Sequence, residues 1–230
     1  MSIGEKIRYN LRPLFGFVLK TLERIGIKPI RYEKMFGLGI SGTVEGRQEQ
    51  EWYNSYHVTN KNRVEFEAQR LADIIKKLSP KSVLELGCGF GYMLNVVQKS
   101  TGAKCTGVDM QKNAITLGEK LYPKLNLICD NCSDYRPKNN FDVVMTSSFL
   151  AYTNKKTTKI CIDSCAPVTK YFVICETVGR HLTNRQYMLA VSGYNYHNYD
   201  KMMEHNGFSK VAEILPEGDD IRTILVYEKN

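Results

Sequence analysis

Residues 83–91, Val-Leu-Glu-Leu-Gly-Cys-Gly-Phe-Gly, decide how this chain folds. Val83, Leu84 and Leu86 form a short apolar run that breaks at glycines 87, 89 and 91, and a helix-forming stretch, YMLNVVQKS, follows at once. The pattern predicts a buried strand, a tight turn and a helix. Glycine has no Cβ, so such a turn brings backbone close against a ligand. It is also expected to aim free N–H groups at that ligand, as helix starts do. The spacing is G-x-G-x-G after Glu85, not the G-x-G-x-x-G that cradles a dinucleotide pyrophosphate. A carboxylate at the foot of the turn attracts a cationic group and repels a phosphate.

Outward from this stretch the chain alternates between strand and helix patterns. Residues 63–78, RVEFEAQRLADIIKKL, read as an amphipathic helix with Phe66, Leu71, Ile74, Ile75 and Leu78 on its apolar side. Ser79-Pro80 stops it. Strands are predicted at 82–86, 105–108, 125–129, 142–146 and 171–175, with helices at 91–100, 112–122 and 155–165 between them. This alternation implies a doubly wound α/β fold with a mostly parallel sheet. The end differs: after a helix near 199–206, SKVAEIL and TILVYEK flank PEGDDI. That arrangement predicts an antiparallel C-terminal hairpin closing the sheet.

Acidic residues close the strands that follow the glycine turn. CTGVDM ends a strand at Asp109, eighteen residues beyond Gly91, where nucleotide-binding α/β folds hydrogen-bond ribose hydroxyls. LNLICDNCSDY ends the next at Asp130, Asn131 and Cys132, and NNFDVVMTSSFLAY supplies a fourth strand leading to Ser147. Matched at these four ordered positions over roughly residues 80–228, the chain resembles the class I, Rossmann-like S-adenosylmethionine-dependent methyltransferases. The resemblance implies S-adenosyl-L-methionine as cofactor. It implies that Glu85 helps hold the cofactor's amino group and that Gly87, Cys88, Gly89 and Gly91 pack against its methionine part. Asp109, with Met110 beside it, would meet the ribose; Asp130 would accept from the adenine amino group, with Asn131 and Cys132 lining the ring. Ser147 would face the sulfonium.

Two departures from the family pattern stand out. APVTK replaces the Gly-Gly turn often found before the fifth strand, in a loop away from the cofactor. Tyr152 stands where small-molecule methyltransferases commonly carry a histidine, which puts a base borrowed from relatives in doubt. Methyl transfer from an activated sulfonium needs alignment more than functional groups, but an oxygen acceptor of high pKa also needs a base. Among His57, His181, His197 and His205, the candidates for catalysis are His181, after the fifth strand, and His197, in the aromatic stretch SGYNYHNYD. A structural or solvated role is the competing reading of each.

The remaining composition bounds the function. With 230 residues, 43% hydrophobic and 24% charged, the chain has the balance of an ordinary globular domain. Its seven cysteines, an odd number without a disulfide framework, suit a reducing compartment and a cytoplasmic protein. Cys129, Cys132, Cys161 and Cys165 imitate a four-thiolate zinc site, but their places beside an adenine acid and along a packed helix favour buried thiols and no metal. Residues 1–50 read as a basic amphipathic helical extension or lid, and residues 51–230 as the methyltransferase domain. Leu11, Leu14, Phe15, Val18, Leu19, Leu22 and Ile25 share one helical face. Eight Lys and Arg against three Glu in residues 1–34 supply a net +5 of the chain's +8. Such a helix suits either a lid or a peripheral membrane contact through residues 1–28.

The expected acceptor is a small molecule, glycan or lipid-linked group methylated at oxygen. Nucleic acid is disfavoured: TSSFLAY lacks the Asn/Asp-Pro-Pro-aromatic loop of base-amino methyltransferases, and no Pro-Cys pair offers the cytosine-C5 nucleophile. A non-catalytic binding module on the same fold is the rival from another class.

Overall fold

The computed structural model describes residues 61–178, 195, 197–217 and 222–230. The extension at 1–50, the start of the predicted domain at 51–60, His57 and His181 lie outside the described residues. The chain runs α1 (Lys61–Lys77), β1 (Ser82–Leu86), α2 (Tyr92–Thr101), β2 (Lys104–Asp109), α3 (Lys112–Leu121), β3 (Asn126–Cys129) and β4 (Phe141–Ser147). A 3₁₀ turn (Leu150–Tyr152), α4 (Lys155–Cys165), a second 3₁₀ turn (Ala166–Val168), β5 (Thr169–Thr177), α5 (Tyr199–His205), β6 (Phe208–Ile214) and β7 (Arg222–Lys229) complete it. The APVTK departure is therefore resolved without glycine, by a 3₁₀ turn with proline in its first positions.

The strands form one seven-stranded sheet in the order β3-β2-β1-β4-β5-β7-β6. The first five are parallel; β7 pairs antiparallel with β5, and β6 antiparallel with β7. This is the doubly wound sheet with an antiparallel C-terminal hairpin that the strand-helix alternation predicts. Parallel strands are buried on both faces, which is why they read as nearly continuous apolar runs. Side chains alternate across the sheet with period two. Val83, Val143, Met145 and Val173 meet Leu71, Ile75, Leu94 and Val97 of α1 and α2 on one face. Leu84, Leu86, Val144 and Phe172 meet Cys161, Ile162 and Cys165 of α4 and Met203 of α5 on the other.

Local sequence signals set the helix ends. Asn154 caps α4, its side chain accepting from the N–H of Thr157 at 3.0 Å, and Asn198 does the same for Lys201 in α5 at 3.1 Å. One part of the sequence reading is corrected. Phe66 does not lie on the buried side of α1 but is 46% exposed; the core-facing stripe is Val64, Ala68, Leu71, Ala72 and Ile75. Those residues follow the 3–4 spacing of one helical face, and Phe66 falls outside it. No helix among the described residues is long and apolar enough to cross a membrane.

Candidate functional site

In open α/β sheets ligands bind beyond the carboxyl ends of the strands, where the strand order reverses. Here that point lies between β1 and β4, and the ends of β1, β2, β4 and β5 bring the candidate residues toward it. The turn after β1 is anchored more tightly than its sequence suggests. The N–H groups of Gly87 and Cys88 both donate to the Val108 carbonyl, at 2.8 and 3.1 Å. Gly91 N–H donates to the Cys88 carbonyl at 2.9 Å, and Gly89 N–H to Asp109 Oδ2 at 2.8 Å. The expectation of free N–H groups at Gly87, Cys88, Gly89 and Gly91 is therefore corrected. The turn offers a glycine backbone flanked by carboxylates, while these donors hold it in place.

Glu85 sits beneath this turn at 1% exposure, and its Oε2 has no hydrogen-bond partner. Burial, with the nearby charge of Asp109, holds its carboxyl well above the ordinary carboxylate range, opposed by the N–H of Leu94 and by Arg222. A buried polar atom left unpaired costs about 1–3 kcal/mol, so this oxygen marks a place where a donor belongs. Asp109, half-buried, accepts from Gly89 through Oδ2 and from Gln111 N–H through Oδ1 at 2.9 Å. Each carboxylate oxygen has two lone pairs, so the group retains capacity for two more donors.

The other cofactor candidates divide. Asp130 Oδ1 accepts from Asn131 N–H at 2.8 Å, and Asn131 Oδ1 accepts from both the N–H and hydroxyl of Ser133 at 3.0 Å. These bonds shape the loop after β3 and leave Asp130 Oδ2 without a partner among the described residues. Met110 is exposed, beyond the end of β2. The side chain of Cys88 turns away into the packing: a Cβ built at Gly107 would stand 2.7 Å from its sulfur. Cys132 is likewise buried, its thiol directed at the Val108 carbonyl at 3.5 Å. Both thiols thus pack beneath the turn, which leaves the backbone of Cys88 and Cys132 as the part of each residue facing the loops. Ser147 Oγ accepts from Arg222 Nη1 at 2.9 Å, and Arg222 in turn pairs with Glu67 of α1 at 2.6 Å. Among the described residues no three His, Cys, Asp or Glu side chains converge as metal ligands would.

His197 lies against the turn that follows β4. Its Nε2 lies 3.0 Å from the carbonyls of Leu150 and Thr153 and 3.0 Å from the Thr158 hydroxyl. Carbonyls only accept, so Nε2 carries the proton and cannot take one from an acceptor. Burial holds the ring's pKa below its usual value, against the two carbonyl bonds. Through Nε2 the ring fastens the turn at 150–153, and Nδ1 is then the nitrogen with a lone pair to accept a proton.

Two residues in this region escape sequence reasoning. Phe149 lies directly on the glycine turn; a Cβ added at Gly87, whose φ is +71°, would come within 2.2 Å of Phe149 Cγ. Glu176, wholly buried at the end of β5, accepts from the N–H groups of Phe149 and Leu150 at 2.9 Å and of Ala151 at 3.3 Å. Burial raises its pKa, with those N–H groups working against the shift. The signal for Glu176 was an acid inside the apolar run YFVICET, which must have a partner. Nothing in the sequence announced that Phe149 would meet Gly87.

Residues 83–171 match the model of a methyltransferase domain family. No curated protein sequence matches the chain. Among solved structures, the fold is similar to that of magnesium protoporphyrin IX methyltransferase from Synechocystis PCC 6803 with bound SAM. That match has 14% identity and a TM-score of 0.58, and covers 78% of this chain and 94% of that one. Streptomyces venezuelae DesVI matches at 14% identity and a TM-score of 0.63, over 80% of this chain and all of its own. The mitomycin 7-O-methyltransferase MmcR matches at 13% identity and 0.60, over 72% of this chain and 53% of that one. At such identities these structures speak for the fold.

Proposed function

We propose that this chain, which carries a class I S-adenosylmethionine-dependent methyltransferase domain, transfers a methyl group to the oxygen of a small-molecule, glycan or lipid-linked acceptor. The observation that carries the reading is the unpartnered, buried oxygen of Glu85 beneath a glycine turn, with Asp109 at the next strand end. A cationic amino group satisfies the first and a pair of ribose hydroxyls the second. S-adenosylmethionine presents both, and when bound it supplies a methyl group already activated on a sulfonium. The chain's own residues bind and align. Glu85 takes the amino end, Asp109 the ribose and Asp130 Oδ2 the adenine amino group, while Phe149 and the turn at 150–152 wall the acceptor side.

Oxygen as the acceptor atom is supported by the same fold in a 7-O-methyltransferase and by the absence of an Asn/Asp-Pro-Pro-aromatic loop after β4. With His197 Nε2 engaged by carbonyls, Tyr152, exposed at the end of the turn, is the described residue we assign to contact with an acceptor. Titration calorimetry with S-adenosylhomocysteine should give one site per chain. Incubating a cell extract with methyl-labelled cofactor and the protein, followed by mass spectrometry, should then reveal labelled products. Binding without any labelled product would favour a non-catalytic module, and no binding would overturn the reading.

The charge and apolar face of residues 1–28 suit a lid or an anionic membrane surface. Flotation of full-length protein and a chain lacking residues 1–28 with anionic vesicles separates these roles. Salt-sensitive flotation of the full chain alone supports the membrane; absence of flotation in both supports the lid.

A further inference from the structure

We propose that Glu176 and His197 are positioning residues that clamp the turn at residues 149–153 from both ends, and so hold Phe149 against the glycine turn. The proposal rests on reading that turn as the cofactor seat. A single helical turn leaves its N–H and C=O groups unpaired and has no stability of its own in water. Here a side chain from a distant element serves each end. The Glu176 carboxylate receives the N–H groups of Phe149, Leu150 and Ala151. From the other end His197 Nε2–H donates to the carbonyls of Leu150 and Thr153, and Asn195 N–H donates to the Ala151 carbonyl at 2.6 Å.

The arrangement is costly, which argues that it is specific. Glu176 is wholly buried, following Val173, Ile174 and Cys175, which are themselves fully or almost fully buried. An apolar residue there would avoid the desolvation of a carboxylate. The chain also enters the turn through Ser148 in a left-handed conformation, φ +53°. Non-glycine residues keep such a conformation when their surroundings over-determine it. The Ser148 N–H, donating to the Cys175 carbonyl at 3.0 Å, and Arg222 on Ser147 supply part of that restraint. What the clamp fixes is the direction of Phe149, whose ring covers the Cα of Gly87. With Phe149 held, the first glycine of the turn is confined between the sheet and an aromatic face. The cofactor then meets a preformed seat, and its affinity includes no cost for ordering this loop.

A double-mutant cycle tests this. S-adenosylhomocysteine affinity is measured by calorimetry for the wild type, Glu176→Gln, Phe149→Ala and the pair, each first checked for a wild-type circular dichroism spectrum. Glutamine keeps one acceptor oxygen but turns an amide toward an N–H group, so Glu176→Gln should weaken binding by about tenfold. Phe149→Ala should do the same, and the pair should be no weaker than the worse single variant, because both changes remove one arrangement. His197→Gln, which retains an N–H donor, should bind within about threefold of wild type, while His197→Phe should resemble Glu176→Gln. Multiplying effects in the cycle, or an unchanged Glu176→Gln, would overturn the proposal. Amide hydrogen exchange separates its failure from that of the functional reading. Glu176→Gln should speed exchange at Phe149, Leu150 and Ala151 and leave Val173 and Ile174 protected. If the wild type binds no S-adenosylhomocysteine, the functional reading falls. The clamp is then judged by whether exchange at 149–151, and at Gly89, rises in the variant. Unchanged exchange sinks it.

Discussion

Replacement of Asp109 by alanine should weaken S-adenosylhomocysteine binding by about a hundredfold or more, because its carboxylate serves the fold and the ligand together. Toward the fold, it accepts from Gly89 at 2.8 Å and from Gln111 at 2.9 Å, tying the glycine turn to the start of α3. Toward the ligand, its remaining lone pairs can each receive a ribose hydroxyl in a charge-assisted bond worth about 1.5–3 kcal/mol. Two such bonds exceed the roughly 2.7 kcal/mol that a hundredfold change requires. Asp109→Asn keeps one accepting oxygen and should fall between, near tenfold. Calorimetry at fixed pH and salt measures both. A loss under about twofold in Asp109→Ala would mean that the ribose lies elsewhere and that Asp109 serves the turn alone.

Where the sequence was legible, one local rule dominated. The strands of the parallel sheet are buried on both faces, so β1 and β4 appear as apolar runs whose ends are fixed by glycine or by a loop. The acids at Glu85, Asp109 and Asp130 could be placed because each interrupts or ends such a run. What could not be read depends on contacts between distant residues. Phe66 looked apolar and was assigned to the core, yet the face of α1 that packs on the sheet is set by Val64 and its 3–4 partners. Cys88 and Cys132 belong to the motif by position, but their side chains turn inward because Gly107 leaves room and the Val108 carbonyl attracts a thiol. The N–H groups of Gly87, Cys88 and Gly89 looked free because their acceptors, Val108 and Asp109, lie about twenty residues away. His197 reads from sequence as either a base or a structural histidine among tyrosines; only the carbonyls of Leu150 and Thr153, more than forty residues upstream, show why Nε2 must keep its proton.

Changing Glu85 to glutamine should move stability and binding in opposite directions, which separates a functional carboxylate from a structural one. In the folded protein, burial and the charge of Asp109 raise the Glu85 pKa well above its unfolded value, with Leu94 N–H and Arg222 opposing. For a carboxyl shifted upward the sign is fixed. Its folded form is favoured while the proton is on, below the unfolded pKa, and that advantage is lost as pH rises through the folded pKa. Between the ordinary carboxylate range and the raised value, Glu85 therefore makes the ligand-free protein less stable as pH increases. Glutamine removes the titration, so Glu85→Gln should melt higher than wild type at pH 8, with the gap closing toward pH 4. A gain of about 1 kcal/mol corresponds to roughly 2–4 °C in a domain of this size. Binding should respond the other way. A cationic amino group favours the ionised carboxylate, so wild-type affinity for S-adenosylhomocysteine should improve as pH rises from the ordinary carboxylate range toward the raised folded pKa of Glu85. In Glu85→Gln that slope should disappear and affinity should fall by about tenfold or more, the loss of a bond to a charged group. Thermal melts and calorimetry across the same pH series read both effects. A variant that is stabilised yet binds with unchanged affinity and an unchanged pH slope would place the amino group away from Glu85. A variant that is destabilised at every pH would mean that the carboxylate is a needed part of the fold.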